Sequence, residues 1–308
     1  LVSSSKADDC RGAALEAVNV SAVGLSGVTA RSCACGISAS GSPRLLLKDC
    51  HFHENNGHAA DMRGRSSFDA KDCLFAANSG PGAGLSDRSV MKAAGCSFTG
   101  NTCGITAGGH AVVEAVRCSF ESNAGPSLEI SGRVRAKISA TRSTGRPAAL
   151  VLGGTSSLII KESMVRSVDS PAAAMSDRAE LNAEKTEFYS RTDAVFASER
   201  CRLEFVSSGA FSENGAAVEG FRYPGLPSGG VARLRFNSVV LRNSGRGISA
   251  GRVYGAVRRI LFHVAVATHG FPVLSALYRR IYLMGPVAAR WLLFIPGVAA
   301  LYLYRGMT

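Results

Sequence analysis

The feature that most constrains this chain is a period. Cys-x-Phe recurs at Cys50, Cys73, Cys96 and Cys118, at intervals of 23, 23 and 22 residues, and an Asn follows each Cys five places on, at Asn55, Asn78, Asn101 and Asn123. A phase shared by four copies implies one structural unit used repeatedly. The frame extends upstream with Val28 and Ala30 in the Cys and Phe places. Downstream it runs through Ser139 and Thr141, Ser163 and Val165, Thr186 and Phe188, Ser208 and Ala210, and Val239 and Leu241, making ten copies.

Within the period, a second apolar pair stands five and three residues before the Cys place. Its members include Leu45 and Leu47, Phe68 and Ala70, Met91 and Ala93, Val113 and Ala115, Val134 and Ala136, Leu158 and Ile160, Leu181 and Ala183, and Leu203 and Phe205. The residue between each pair is mostly polar or charged: Asp69, Lys92, Glu114, Arg135, Asn182 and Glu204. Alternation with period two predicts short strands with one buried face. A third short segment follows Gly or Pro in many copies, as in SLEI from Ser127 and ALVL from Ala149. Three strands per copy, without a helical stretch, predict an all-β solenoid: a right-handed parallel β-helix of about ten coils. Leucine-rich repeats need a Leu-x-x-Leu-x-Leu frame that is absent here, and helical or blade repeats are longer. At about 4.8 Å per coil, ten coils make a rod of about 48 Å in which equivalent residues stack in columns. The Asn column is expected at a turn, with its amides bonding between coils and its backbone left-handed.

This reading divides the chain into an N-terminal cap (1–17), the β-helix (18–252) and a hydrophobic helical tail (253–308). RGAALEAV, from Arg11, reads as a short amphipathic helix over the first coil, covering an otherwise unpaired edge. FRYPGLPSGG, from Phe221, reads as an outward loop. In the tail, residues 260–278 carry no Asp, Glu, Lys or Arg, and residues 281–304 carry only Arg290 among these. Both segments approach or exceed the roughly 20 residues that cross a hydrocarbon layer as helix. Gly270, Pro272, Pro286, Pro296 and Arg290 oppose clean crossings, so a helical assembly element stands beside the membrane reading. The expected partners are therefore a membrane or membrane-protein subunits, through residues 253–308. The compartment stays open, since the start LVSSSKADDC shows no signal peptide.

Formal net charge is +12, and the tail holds six arginines and no acid, which leaves +6 for the other 252 residues. Both signs are scattered there, unlike the basic stripe with aromatics that reads nucleic acid. Nine cysteines in so long a chain do not suggest a disulfide scaffold; the Cys column reads as small, buried and free. His51, His53 and His58 form the densest set of possible metal ligands. His51 and His53 flank the inward Phe52 and point outward together, but no third ligand is fixed by the spacing and solvated histidines are the plainer reading. No cofactor is called for.

The repeat over roughly residues 18–252 resembles the right-handed β-helix family that includes pectate lyases, polygalacturonases and mannuronate epimerases. The resemblance implies contact with an extended, often anionic polysaccharide along an outer face. The paired-carboxylate motifs of the hydrolases are missing: NNGHAAD holds Gly57 and His58 but no second Gly, and no Asp-Asp lies in neighbouring coils. The epimerase Asp-Pro-His-Asp is also missing. Lyases need calcium-binding acids and a Lys or Arg base, and Lys48, Asp49, Lys71 and Asp72 have those types; KDC is also how a solvated turn with a neutralising charge ladder is written. An outward row of Arg142, Arg166 and Arg242, with Glu121 and Tyr189, could grip an acidic glycan or a protein partner. Together these features predict a membrane-associated β-helix acting as a non-catalytic binding or structural subunit. The alternative is a lyase, hydrolase or epimerase acting on an acidic glycan.

Overall fold

The computed structural model describes residues 1–19, 22–145, 148–197, 201–213 and 216–219, together with the strands Arg233–Asn237, Val240–Asn243 and Arg246–Ser249. The 253–308 tail, the loop from Phe221 and Val239 lie outside the described residues.

Three parallel sheets of eleven strands each run the length of the solenoid, and each coil gives one strand to every sheet. We call them A, B and C in the order in which the chain visits them. One coil reads Arg44–Lys48 in A, His51–His53 in B and Ala60–Met62 in C. The next pairs onto it in parallel, with Phe68 opposite Leu45, Phe75 opposite Phe52 and Ala83 opposite Ala60.

Strict register stacks like on like. Phe52, Phe75, Phe98 and Phe120 are fully buried, and their rings stack at 5.6, 4.8 and 4.9 Å within 13° of parallel. Offset aromatic stacking adds to the burial of each ring. Chain reversal between A and B requires a left-handed residue just before the Cys place: φ is 52° at Asp49, 53° at Asp72, 65° at Gly95 and 53° at Arg117. Asp and Gly tolerate that conformation better than most residues.

The Cys column is a donor column. Cys96 Sγ points to the carbonyls of Ala94 and Ala70 at 3.6 and 3.5 Å. In a later coil Ser208 Oγ donates to the equivalent carbonyls of Val206 and Ala183, at 2.9 and 3.0 Å. Thr186 makes the same pair of bonds, to Glu184 and Ile160. All nine cysteines are free thiols.

The Asn column is a buried ladder. Asn78 Oδ1 accepts from both the backbone N–H and the side-chain amide of Asn55, while Asn78 Nδ2 donates to Asn101 Oδ1 and to the Phe52 carbonyl. Cys33 continues the ladder downward: its N–H donates to Asn55 Oδ1 and its Sγ points to Ala7 O. The left-handed backbone expected at Asn belongs instead to the residue before it, with φ 56° at Glu54, 52° at Ala77 and 66° at Gly100. That twist turns the amide inward, where it replaces the ladder bonds that the turn interrupts.

Two expectations need correction. Residues 11–18 form no helix: Ala13–Asn19 is a strand of sheet C, paired with Cys35–Gly41. Ladder hydrogen bonds to the next coil override local helix propensity, and Val2–Ser3, Lys6–Asp8 and Ala13–Asn19 make a further coil below the ten read from the period. The frame also slips at one copy. Phe120 pairs with Ser143 and Val113 with Ala136, so the Cys and Phe places are Thr141 and Ser143, and the preceding pair is Ala136 and Ile138 around Lys137. Val134 is buried as well, at the turn, so alternation alone fits two frames; only pairing fixes the register.

Candidate binding surface on sheet B

Sheet B changes character partway along the solenoid. In the earlier coils its strands have three residues, as in Ser119–Glu121, and the Asn ladder closes the turn that follows. After Asn123 the ladder stops and the strands lengthen to four residues: Arg142–Gly145, Met164–Ser167, Glu187–Ser190 and Gly209–Ser212. Serine takes over the turn. Ser190 Oγ donates to the Ser170 carbonyl at 2.8 Å and accepts from the Thr192 N–H at 3.0 Å, and Ser212 Oγ donates to the Thr192 carbonyl. The connection to sheet C shortens as the strands lengthen, from 122–127 after Ser119–Glu121 to 191–194 after Glu187–Ser190.

Two grooves border this stretch of sheet B, of about 770 and 940 Å³, and both are lined by Tyr189 and Phe211. Parallel register brings Tyr189 opposite Phe211, and the rings stack at 4.6 Å and 13°. Arg166, one coil before and in register with Tyr189, places its guanidinium carbon 5.3 Å from the Tyr189 ring centre. Tyr189 donates its hydroxyl to Glu187 Oε2 at 2.8 Å, which fixes the ring's tilt. Gly209 lets Phe211 lie over its own strand: a Cβ there would stand 2.5 Å from the ring edge. Arg, Tyr and Phe thus form a partly exposed ridge between two grooves, apolar on its faces and cationic at one end.

The sequence-derived residues fall into separate places. Arg166 lines the first groove, Arg142 the second and Tyr189 both. Arg142 is not on the Arg166 row, however. It pairs with Met164, two residues along, because of the frame slip described above. Glu121 stands outward at the end of its strand, with Ser119 Oγ donating to it. Arg242 is in register with Phe211, and its side chain lies outside the described residues. Phe211 was not singled out from sequence. Its signal was an apolar residue at an outward place one period after Tyr189.

Lys48 and Lys71 stack in register, with Lys48 Nζ 3.9 Å from Asp49 Oδ2 at a solvated turn. Asp49 and Asp72 occupy left-handed turn positions, and Asp72 Oδ1 fills the space where Gly95 lacks a Cβ. His51 and His53 share the outer face of one strand, and His53 Nδ1 is 3.6 Å from Glu54 Oε1. His58 lies apart from them, its ring over Gly84 of sheet C. Among the described residues, no group of three His, Cys, Asp or Glu is placed to hold a metal. Two thiols off the column are held protonated: burial pushes Cys35 up to about 11 and Cys103 up to about 12. Among the described residues, no helix is long and apolar enough to cross a membrane.

Residues 1–116 match the family described as the right-handed beta helix region. The repeat is that of a right-handed parallel β-helix. Neither the curated proteins nor the solved structures contain a match to the chain. The matched span ends at Val116, so both β-helix grooves, which begin at Ser122 and Ala140, lie beyond it.

Proposed function

We propose that this β-helix is a non-catalytic binding subunit, held at a membrane by residues 253–308, that takes an acidic saccharide chain across the Tyr189–Phe211 ridge. The observation that carries the reading is the stacked, outward aromatic pair with Arg166 against it and a groove on either side. Aromatic faces suit the C–H faces of sugar rings, and a guanidinium suits a sugar carboxylate or sulfate. Three carboxylates along the grooves are already engaged: Glu162 with Lys185 at 3.7 Å, Glu213 with Arg191 at 3.6 Å, and Glu187 with the Tyr189 hydroxyl. Glycoside hydrolysis needs one carboxyl to give a proton and a second to act on the ring or on water, and the activity assay below separates binding from turnover. The membrane part of the reading rests on the apolar lengths of residues 260–278 and 281–304.

The full chain should bind oligogalacturonate or oligomannuronate in a calorimetric titration. Tyr189→Ala should weaken that binding at least tenfold, and Gly209→Ala, which displaces the Phe211 ring, should weaken it less. Unchanged affinity in Tyr189→Ala would remove the ridge from the site. Unsaturated ends or reducing sugar appearing in proportion to protein would favour the enzyme reading instead. Carbonate extraction tests the tail separately: release into the soluble fraction would sink membrane residence.

A further inference from the structure

The turn that carries the chain from sheet C back to sheet A holds a second pattern. In six successive coils it contains a left-handed Gly or Asp, at Gly64, Asp87, Gly109, Gly132, Gly154 and Asp177; the coil before has Gly41 followed by Ser42. The following residues are Arg65, Arg88, His110, Arg133, Thr155 and Arg178, and all but Thr155 carry a cationic or titratable ring side chain. Backbone bonds from Arg65 to Gly41, Arg88 to Gly64, Arg133 to Gly109 and Arg178 to Gly154 stack these turns coil on coil. The four arginines are exposed, and none has a side-chain partner among the described residues. At about 4.8 Å per coil, the file from Arg65 to Arg178 runs roughly 24 Å along one edge of the rod. Exposed Arg44 and Arg135 flank it on sheet A.

Two nearby acids are paired with arginines outside the file. Asp61 pairs with Arg63 at 2.8 Å, and Glu180 with Arg202 at 2.8 Å. Asp87 and Asp177 sit within the file and keep their charge, each accepting from a backbone N–H, of Gly64 at 2.9 Å and of Gly154 at 2.7 Å; four arginines against these two aspartates leave the file net cationic. The outer column of sheet A differs, since Asp69, Lys92, Glu114 and Lys137 alternate in sign and neutralise one another.

We infer that this arginine edge is a contact for an anionic phospholipid surface, along which the rod lies. The two grooves described above are on sheet B, and neither is lined by a residue of the file. A plane touches such an edge along its length. Guanidinium binds phosphate bidentately, which suits a file made of Arg rather than Lys. None of the turn residues 63–65, 86–88, 108–110, 131–133, 153–155 and 176–178 is Phe, Tyr or Trp, which disfavours single-stranded nucleic acid, whose bases stack on aromatic rings. The inference rests on the membrane part of the reading above, in which residues 253–308 hold the chain at a bilayer.

The full chain is reconstituted into nanodiscs of phosphatidylcholine alone or of an equimolar mixture with phosphatidylglycerol, then treated with a dicarbonyl arginine reagent and mapped by mass spectrometry. Arg65, Arg88, Arg133 and Arg178 should be protected severalfold in the anionic discs only, reversibly with salt, while Arg142 and Arg166 on sheet B label equally in both. Equal labelling of the four in both discs overturns the inference. If the chain does not enter phosphatidylcholine discs, the tail reading fails, and the edge is tested by flotation with vesicles of the same two compositions. Binding should then depend on phosphatidylglycerol and fall by about fivefold for each arginine removed in R88Q/R133Q and in R65Q/R88Q/R133Q/R178Q. Flotation that ignores lipid charge or these substitutions overturns it. Duplex DNA that protects the four as well as anionic vesicles do would reassign the edge to nucleic acid.

Discussion

Asn78→Ala should be among the most damaging single truncations in the rod, although it removes no apolar group. The Asn78 amide makes four bonds: it donates to Phe52 O at 3.1 Å and Asn101 Oδ1 at 2.9 Å, and accepts from Asn55 N at 3.1 Å and Asn55 Nδ2 at 2.9 Å. Asn78 is buried, so its former partners cannot turn to solvent. At about 1 kcal/mol net per bond, with the orphaned groups adding to the cost, the loss is about 3 to 5 kcal/mol. Asn123, at the ladder's end, accepts from Asn101 N and donates to Phe98 O, both at 3.0 Å. Asn123→Ala should therefore cost about 2 kcal/mol on the same scale. Asn78→Asp keeps the acceptor but loses both donors and faces Asn101 Oδ1 with a charge, so it should be worse than Ala at neutral pH and recover in acid. Urea unfolding of the full-length variants, followed by far-ultraviolet circular dichroism in one common detergent, measures the series. A loss below about 1 kcal/mol for Asn78→Ala, or an Asn123→Ala loss equal to it, would refute the ladder as the source of turn stability.

The donor column makes a different prediction. Cys96→Ser should change stability by less than about 1 kcal/mol, because Ser208 already makes the equivalent bonds, whereas Cys96→Ala leaves the Ala70 and Ala94 carbonyls without that donor and should cost more. A serine variant less stable than the alanine one would show the column to be apolar after all. In the aromatic column, Ser143 stands between Phe120 and Val165 with a buried hydroxyl that has no partner among the described residues. Ser143→Val should stabilise by about 1 kcal/mol; a lower urea midpoint would mean that the hydroxyl is bonded.

The inward residues were the most legible part of the chain. Phe52, Phe75, Phe98 and Phe120 recur at one phase because a parallel stack demands the same size at the same height in every coil. The donor role of the Cys place was less legible, since Cys, Ser and Thr share small size as well as a proton to give. The frame at Thr141 and Ser143 was lost because Val134 and Ser139 satisfy the same alternation. Tyr189 and Arg166 could be placed outward from the period, but which outward residues border the grooves depends on the pairing of neighbouring coils.

The sequence by itself determined the solenoid, because a period of 22 to 23 residues with inward apolar places leaves few other ways to bury them. It determined the columns as well, since equal spacing puts equal residues in contact. Only the tertiary structure decided which outward residues are neighbours. Arg65, Arg88, Arg133 and Arg178 are 23 to 45 residues apart from one to the next, interspersed with acids, and read as scattered charge. Coiling brings the file together along one edge, because strand pairing, rather than distance along the chain, sets what each side chain meets.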